Sequence, residues 1–121
     1  MAVEKKFEIS KDLVNKVYEA IEIAKNSGKI RKGTNETTKS IERGEAKLVV
    51  IAEDVDPAEI VMHLPVICGE KKVPFIYVPN KVELGKASGV DVGTAAIAIA
   101  EEGDAASAVK DIVSKLSSIK K

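Results

Sequence analysis

Helical and strand-like segments alternate along the whole chain, and this alternation is the feature that most restricts its fold. Residues 46–52, with the sequence AKLVVIA, form a mostly apolar run that is too short for a helix. Residues 94–100, TAAIAIA, form a second such run. Because neither run alternates with polar residues, each is predicted to be a strand covered on both faces. Covered strands separated by helices predict a three-layer α/β/α sandwich around a small sheet.

Further segments carry helix and strand signals. Apolar residues at three- and four-residue spacing predict an amphipathic helix over 11–27, ended by Gly28, and a last helix over about 104–119. Residues 29–32 and 73–78 are predicted strands.

Two other helix starts are predicted from capping residues. Asp56 is followed by a proline and by Glu59, a pattern that predicts a helix running toward Gly69 with a bend at Pro65. Asn80 begins a second capping pattern, which predicts a helix that ends near residue 89.

The length of 121 residues predicts one domain over residues 1–121, large enough to bury about two thirds of the surface of the unfolded chain. Only four residues are aromatic and Trp is absent. These four occur in apolar or periodic contexts and are predicted to be core residues: Phe7, Tyr18, Phe75 and Tyr77. Stacking of bases on exposed rings is therefore not expected.

The single cysteine, Cys68, excludes an internal disulfide and is compatible with a reducing cytosol. No apolar run is long enough to cross a membrane, and the N-terminus lacks the apolar core of a signal peptide. We expect a soluble, cytoplasmic protein without a membrane partner.

The chain offers little for catalysis. The only histidine, His63, is flanked by apolar residues, and Cys68 has no histidine close in sequence, so both are predicted to be packed structural residues. Acidic residues in 53–59 suggest a divalent cation only weakly, because two of them have capping roles. Glycines recur every four residues over 85–93, which is not the spacing of a nucleotide-binding loop. We therefore predict no catalytic residues, metal or cofactor.

The segment from Lys32 to Gly44 has the start and stop signals of a helix but almost no apolar residues. Gly33 precedes it, Thr34 is predicted to cap its first amides, and Gly44 ends it, whereas Ile41 is its only strongly apolar residue. Such a helix contributes little to a core, which suggests another role.

A helical wheel divides this segment into two faces. A narrow face of methyl groups, able to lie against a sheet, comprises Thr34, Thr37, Thr38 and Ile41. The other face comprises Asn35, Glu36, Lys39, Ser40 and Arg43. Residues 25–47 contain seven Lys or Arg and only three acids, in a chain whose net charge is zero. This local excess favours an anionic partner over a merely solvated face.

RNA suits this helix chemically. A helix N-terminus offers unpaired N–H groups and a partial positive charge for phosphate oxygens. The Asn35 amide can donate to and accept from a purine edge, whereas the Glu36 carboxylate can only accept from base N–H groups. A carboxylate among cations therefore favours base recognition over general attraction to phosphate.

The sequence resembles the archaeal ribosomal L7Ae family of kink-turn RNA-binding proteins. The resemblance is carried by residues 31–57, RKGTNETTKSIERGEAKLVVIAEDVDP, and by residues 60–90, IVMHLPVICGEKKVPFIYVPNKVELGKASGV. It continues more loosely to the C-terminus, and implies a mixed four-stranded sheet within the three-layer fold.

The resemblance also implies two contact regions. The first turn of the polar helix reads tandem sheared G·A pairs in the widened groove of a kink-turn, through positions matched here by Gly33, Thr34, Asn35, Glu36 and Lys39. Lys32 and Arg43 are expected to lie near phosphates. In the second region, an extruded nucleotide packs on a loop and an adjoining pocket, through positions matched by Asp56, Ile60, Lys81, Gly89, Val90, Asp91 and Val92. Eukaryotic relatives commonly carry Arg-Pro where this chain has Val92-Gly93, which makes a charge-assisted contact there doubtful.

The resemblance implies a non-enzymatic protein of the ribosomal large subunit that stabilises kink-turns. Its expected RNA partners are ribosomal RNA, box C/D and H/ACA guide RNAs and ribonuclease P RNA, together with the ribosomal and small ribonucleoprotein proteins of those particles. Two alternatives from other classes are a small α/β enzyme or ligand-binding domain, and a protein-binding scaffold. The scaffold is favoured if Asn35, Glu36 and Lys39 are buried against another helix.

Overall fold

The computed structural model describes residues 11–55, 58–90 and 93–120. In chain order their elements are α1 (Lys11–Ser27), β1 (Lys29–Lys32), α2 (Thr34–Glu42), β2 (Leu48–Ala52), a 3-10 turn (Ala58–Ile60), α3 (His63–Lys71), β3 (Phe75–Val78), α4 (Lys81–Ala87), β4 (Ala96–Glu101), a second 3-10 turn (Gly103–Ala105) and α5 (Ala106–Lys120). No helix among the described residues is long and apolar enough to span a membrane.

The four strands form one mixed sheet in the order β1-β4-β2-β3. β4 pairs antiparallel with both β1 and β2, whereas β2 and β3 are parallel. Lys32 is paired with Ile97 and Ile51 with Ala96, so the ends of β1 and β2 meet the beginning of β4. The segments that follow β1, β2 and β3 therefore leave the sheet at one common edge.

Side chains alternate between two buried faces along each central strand. Leu48, Val50 and Ala52 face a core shared with α1, α4 and α5. Val49 and Ile51 face a second core shared with α2 and α3. The predicted three-layer α/β/α sandwich around a mixed four-stranded sheet is confirmed, because both faces of β2 are buried as its unbroken apolar sequence requires.

The first part of the α3 region differs from the prediction. No α-helix follows Asp56 directly: Ala58–Ile60 is a 3-10 turn, and α3 begins at His63. Pro65 consequently lies in the first turn of α3, where its missing N–H removes no helical hydrogen bond. The helix also continues through Gly69, the residue toward which it was expected to end.

Candidate nucleic-acid interface

Gly33 links β1 to α2 at the edge of the sheet. Its N–H donates to the carbonyl of Ala96 over 2.8 Å, and its own carbonyl accepts from the N–H of Thr37 over 2.9 Å. The backbone at Gly33 has φ of 93°, a region that L side chains rarely adopt. A Cβ at Gly33 would meet no atom of the described part of the chain within 4 Å, beyond its immediate neighbours. Glycine is therefore favoured here by its backbone conformation, and the space beside it is open.

The beginning of α2 has no side-chain cap. Thr34 was predicted to be the cap, but it is the first helical residue, and Gly33 occupies the cap position. The first helical N–H groups need partners from outside the helix, because an α-helix cannot satisfy its own initial donors. This end of α2 is thus available to an anion or a hydrogen-bond acceptor.

Asn35, Glu36 and Lys39 are all exposed on the outer side of α2. The Lys39 Nζ lies 3.7 Å from Glu36 Oε2, and about half of each side chain is accessible to solvent. A pair this exposed contributes little free energy, so it can open when either group meets a ligand. The condition that favoured a protein scaffold, burial of these residues against another helix, is not met.

The inner face of α2 is rotated from its predicted position. Ser40 was assigned to the outer face, but it is only 1% exposed and lies inward with Thr37 and Ile41. β4 presents Ala96 and Ala98 to this side of the sheet, and their small side chains leave room for small residues of α2. The hydroxyls of Thr37 and Ser40 have no hydrogen-bond partner among the described residues.

Cations at the two ends of α2 have different surroundings. Lys32, at the end of β1, is exposed and has no ion pair within 4.0 Å among the described side chains. Arg43 lies at the far end of α2, with Nη1 4.0 Å from Glu45 Oε2. Glu45 also lies 3.4 Å from the Arg31 Nε. Arg43 is thus partly neutralised, whereas Lys32 is free to pair with a phosphate.

A hydrogen bond that the sequence did not indicate joins α2 to α3. The Thr38 hydroxyl donates to the Thr34 carbonyl over 2.8 Å, and His63 Nε2 lies 2.8 Å from the same hydroxyl oxygen. Since the hydroxyl proton is directed to Thr34, His63 acts as the donor to Thr38. His63 was predicted to be a packed structural residue. It is exposed at the beginning of α3, but its hydrogen bond to Thr38 gives it a structural role beside the first turn of α2.

The loop after α4 folds back against the start of that helix. The Val90 N–H donates to the Gly85 carbonyl over 2.9 Å, and the Thr94 N–H donates to the Lys81 carbonyl over 3.1 Å. Lys81 is also fixed from the other side, because its N–H donates to Asp54 Oδ1 over 2.8 Å. The structure therefore brings Lys81 and the loop together, and leaves Val90 partly exposed.

The other residues predicted for the second contact region are only partly described. Ile60 is 45% exposed at the end of its 3-10 turn. Gly89 follows α4 with φ of 86°. Asp56, Asp91 and Val92 lie outside the described residues.

The titratable groups with raised pKa values are not chemically activated. Burial raises the pKa of the Cys68 thiol to about 11. Burial, together with the charges of Glu83 and Asp54, raises the pKa of Tyr18 to about 12. These groups stay protonated near neutral pH and supply no anionic nucleophile. Within the part of the chain that the structure describes, no three His, Cys, Asp or Glu residues are grouped to hold a metal ion.

Comparison with known proteins identifies the family. Residues 15–109 match the model of the ribosomal protein L7Ae/L30e/S12e/Gadd45 family. The chain belongs to this family. Among solved structures it is similar to the Giardia lamblia 15.5kD RNA binding protein, with 34% sequence identity, a TM-score of 0.87, and coverage of 92% of each chain.

Membership of the L7Ae/L30e/S12e/Gadd45 family agrees with the mixed α/β fold and means that the protein is not an enzyme. The family match over residues 15–109 includes the sequence of α2 and of the loop after α4.

Proposed function

We propose that this protein binds RNA and recognises kink-turns, stabilising their sharply bent form. The observation that carries the proposal is that Asn35 and Glu36 are both exposed at a helix start that has no side-chain cap. Family membership and the similar Giardia protein, described as RNA-binding, support RNA binding in general.

The proposed chemistry follows from the groups at the start of α2. Backbone N–H groups at the helix N-terminus donate hydrogen bonds to a phosphate oxygen or to a base acceptor. Asn35 provides a donor and an acceptor to one purine edge, and Glu36 accepts from the N–H groups of a second base. Sheared G·A pairs expose such edges in a widened groove. The Lys39 ammonium, already beside Glu36, offsets the repulsion between that carboxylate and nearby phosphates.

The second proposed contact comprises Val90, Lys81 and Ile60. An extruded nucleotide packs its base on the partly exposed Val90 and the exposed Ile60, and the Lys81 ammonium neutralises a phosphate of the same nucleotide. Because both contact regions are occupied only by a bent RNA, binding shifts the RNA population toward the kinked form by the difference in affinity.

The proposed RNA partners are ribosomal RNA, box C/D and H/ACA guide RNAs, and ribonuclease P RNA. In this proposal the protein is an archaeal large-subunit ribosomal protein that acts in the cytoplasm, and it also serves small ribonucleoprotein particles whose chemistry belongs to other components.

The proposal is tested by titrating the purified protein against two RNAs that differ only in the tandem G·A pairs. We expect saturable binding of the kink-turn RNA and at least ~10-fold weaker binding of an RNA in which Watson–Crick pairs replace the G·A pairs. Equal affinity for the two RNAs would contradict kink-turn recognition while leaving general RNA binding intact. No binding to either would contradict both.

The salt dependence of this binding should be moderate. Four cations are the proposed phosphate neighbours, namely Lys32, Lys39, Arg43 and Lys81. About four neutralised phosphates predict a slope of about −3 to −4 for the logarithm of the binding constant against the logarithm of salt concentration. Isothermal titrations at several salt concentrations measure it. A slope near zero would contradict the proposed phosphate contacts, and a slope near −10 would indicate nonspecific polyanion binding.

Val90→Asp should weaken kink-turn binding without unfolding the protein. The new carboxylate would be desolvated against a base and placed near phosphates, which is costly without a partner. Val66→Asp is the matched control, because Val66 is 61% exposed on α3 and has no proposed RNA contact. Gel-shift titration of both variants and the wild type measures the effect. If Val90→Asp binds as tightly as Val66→Asp, the loop is not a contact region.

A further inference from the structure

A lysine side chain passes close to each of two glycines, Gly89 and Gly93, in the segment after α4. A Cβ at Gly93 would lie 3.0 Å from Cγ of Lys81. A Cβ at Gly89 would lie 3.0 Å from Cδ of Lys25 and 3.2 Å from its Nζ. Distances this short leave no room for a side chain on either glycine unless the lysine moves. Gly89 also has φ of 86°, a backbone conformation that by itself favours glycine.

Lys25 reaches the loop from a different element than Lys81. It lies in the last turn of α1, far from the loop in sequence, and it is exposed. Its ammonium forms no ion pair within 4.0 Å among the described side chains. The Lys25 stem passes close to Gly89, so this unpaired charge lies beside the residue that precedes Val90. A charge already positioned loses less side-chain entropy when it binds an anion.

We propose that Lys25 contacts an RNA phosphate, so that Lys25 and Lys81 flank the nucleotide that packs on Val90. The proposal rests on the proposed kink-turn function. A nucleotide inside a strand is joined to a phosphate on each side, and a single lysine can neutralise only one of them. Lys81 lies at one end of the loop and Lys25 at the other, which matches a strand that enters and leaves the pocket.

The test is a salt series with the same kink-turn RNA and the variants Lys25→Met and Lys25→Arg. Methionine keeps an apolar stem over Gly89 but removes the charge, and arginine keeps the charge. For Lys25→Met we expect affinity about 5- to 10-fold lower at ~0.1 M salt, and a log–log slope shallower by about 0.7 to 0.9. Lys25→Arg should retain the wild-type slope. Lys110→Met, which removes an exposed cation of α5, is the matched control and should leave both quantities unchanged.

Two outcomes overturn the assignment. Wild-type affinity and slope in Lys25→Met would mean that Lys25 meets no phosphate. Weaker binding with an unchanged slope would mean that Lys25 only positions the loop, and a lowered melting temperature of the free variant would support that reading. In both cases wild-type discrimination between the kink-turn RNA and its control would persist, and the proposed function would stand. If the wild-type protein does not discriminate between the kink-turn RNA and its control, the proposed function is contradicted, whatever the result for Lys25→Met.

Discussion

Asn35→Ala and Glu36→Ala should each lower the affinity for a kink-turn RNA by about 1–3 kcal/mol, the range of a good contact to a base edge. Both side chains are exposed on α2, so neither substitution removes a packing contact. The melting temperature of the free protein should therefore stay close to that of the wild type. Isothermal titration with RNA and thermal unfolding without it measure the two quantities separately.

Glu42→Ala is the matched control for these variants. Glu42 is exposed on the same helix, but lies at the end opposite to Gly33. Its replacement should leave RNA affinity within about 0.5 kcal/mol of the wild type, as expected for a surface site away from the contact. Unchanged affinity in Asn35→Ala and Glu36→Ala, together with a lowered melting temperature, would make α2 a structural helix and refute base recognition by its first turn.

Gly28→Ala should destabilise the fold by about 3 kcal/mol or more. A Cβ at Gly28 would lie 2.0 Å from the carbonyl oxygen of Glu101 and 2.9 Å from the N–H nitrogen of Gly103. These are backbone atoms, so they cannot rotate away as a side chain can. The junction between α1 and β1 would have to separate from the end of β4, to which β1 is paired. Urea unfolding followed by circular dichroism gives the change in free energy of unfolding.

The control for this prediction is Gly69→Ala. Gly69 lies inside α3, and a Cβ there would have no atom within 4 Å. Alanine has the higher helix propensity, so this variant should be stabilised by up to about 1 kcal/mol. If Gly28→Ala unfolds at the same urea concentration as Gly69→Ala, the inference that the α1–β1 junction is too closely packed for a side chain is contradicted.

Local sequence signals predicted most of the secondary structure. The three- and four-residue spacing predicted α1, and the Asn80 cap is confirmed because its Oδ1 accepts from the N–H groups of Val82 and Glu83. The predicted start of α3 was wrong. The capping pattern at Asp56 favours an early start, whereas the proline at position 65 is tolerated only near the start of a helix and so favours a later one. Element types are set by periodicity, whereas boundaries depend on such local competition.

The candidate site could be predicted only where it lies on one short segment. The exposure of Asn35 and Glu36 follows from the order of residues along α2. The burial of Ser40 does not, because it depends on how closely α2 approaches the alanines of β4. The contact of Lys25 with Gly89 joins two helices that are distant in the chain, so no local pattern indicates it.

Because the start of α2 has no side-chain cap, a ligand bound there can add stability that the free protein lacks. Gly33 in the cap position leaves this helix about a few tenths of a kcal/mol less stable than a capping side chain would. A bound acceptor at Gly33 would complete the helix in the way that a capping residue does elsewhere. The melting temperature should then rise with RNA concentration, since a ligand that binds only the folded chain stabilises it by an amount that grows with the ratio of ligand concentration to Kd. In a cell, copies that have found their RNA would outlast those that have not.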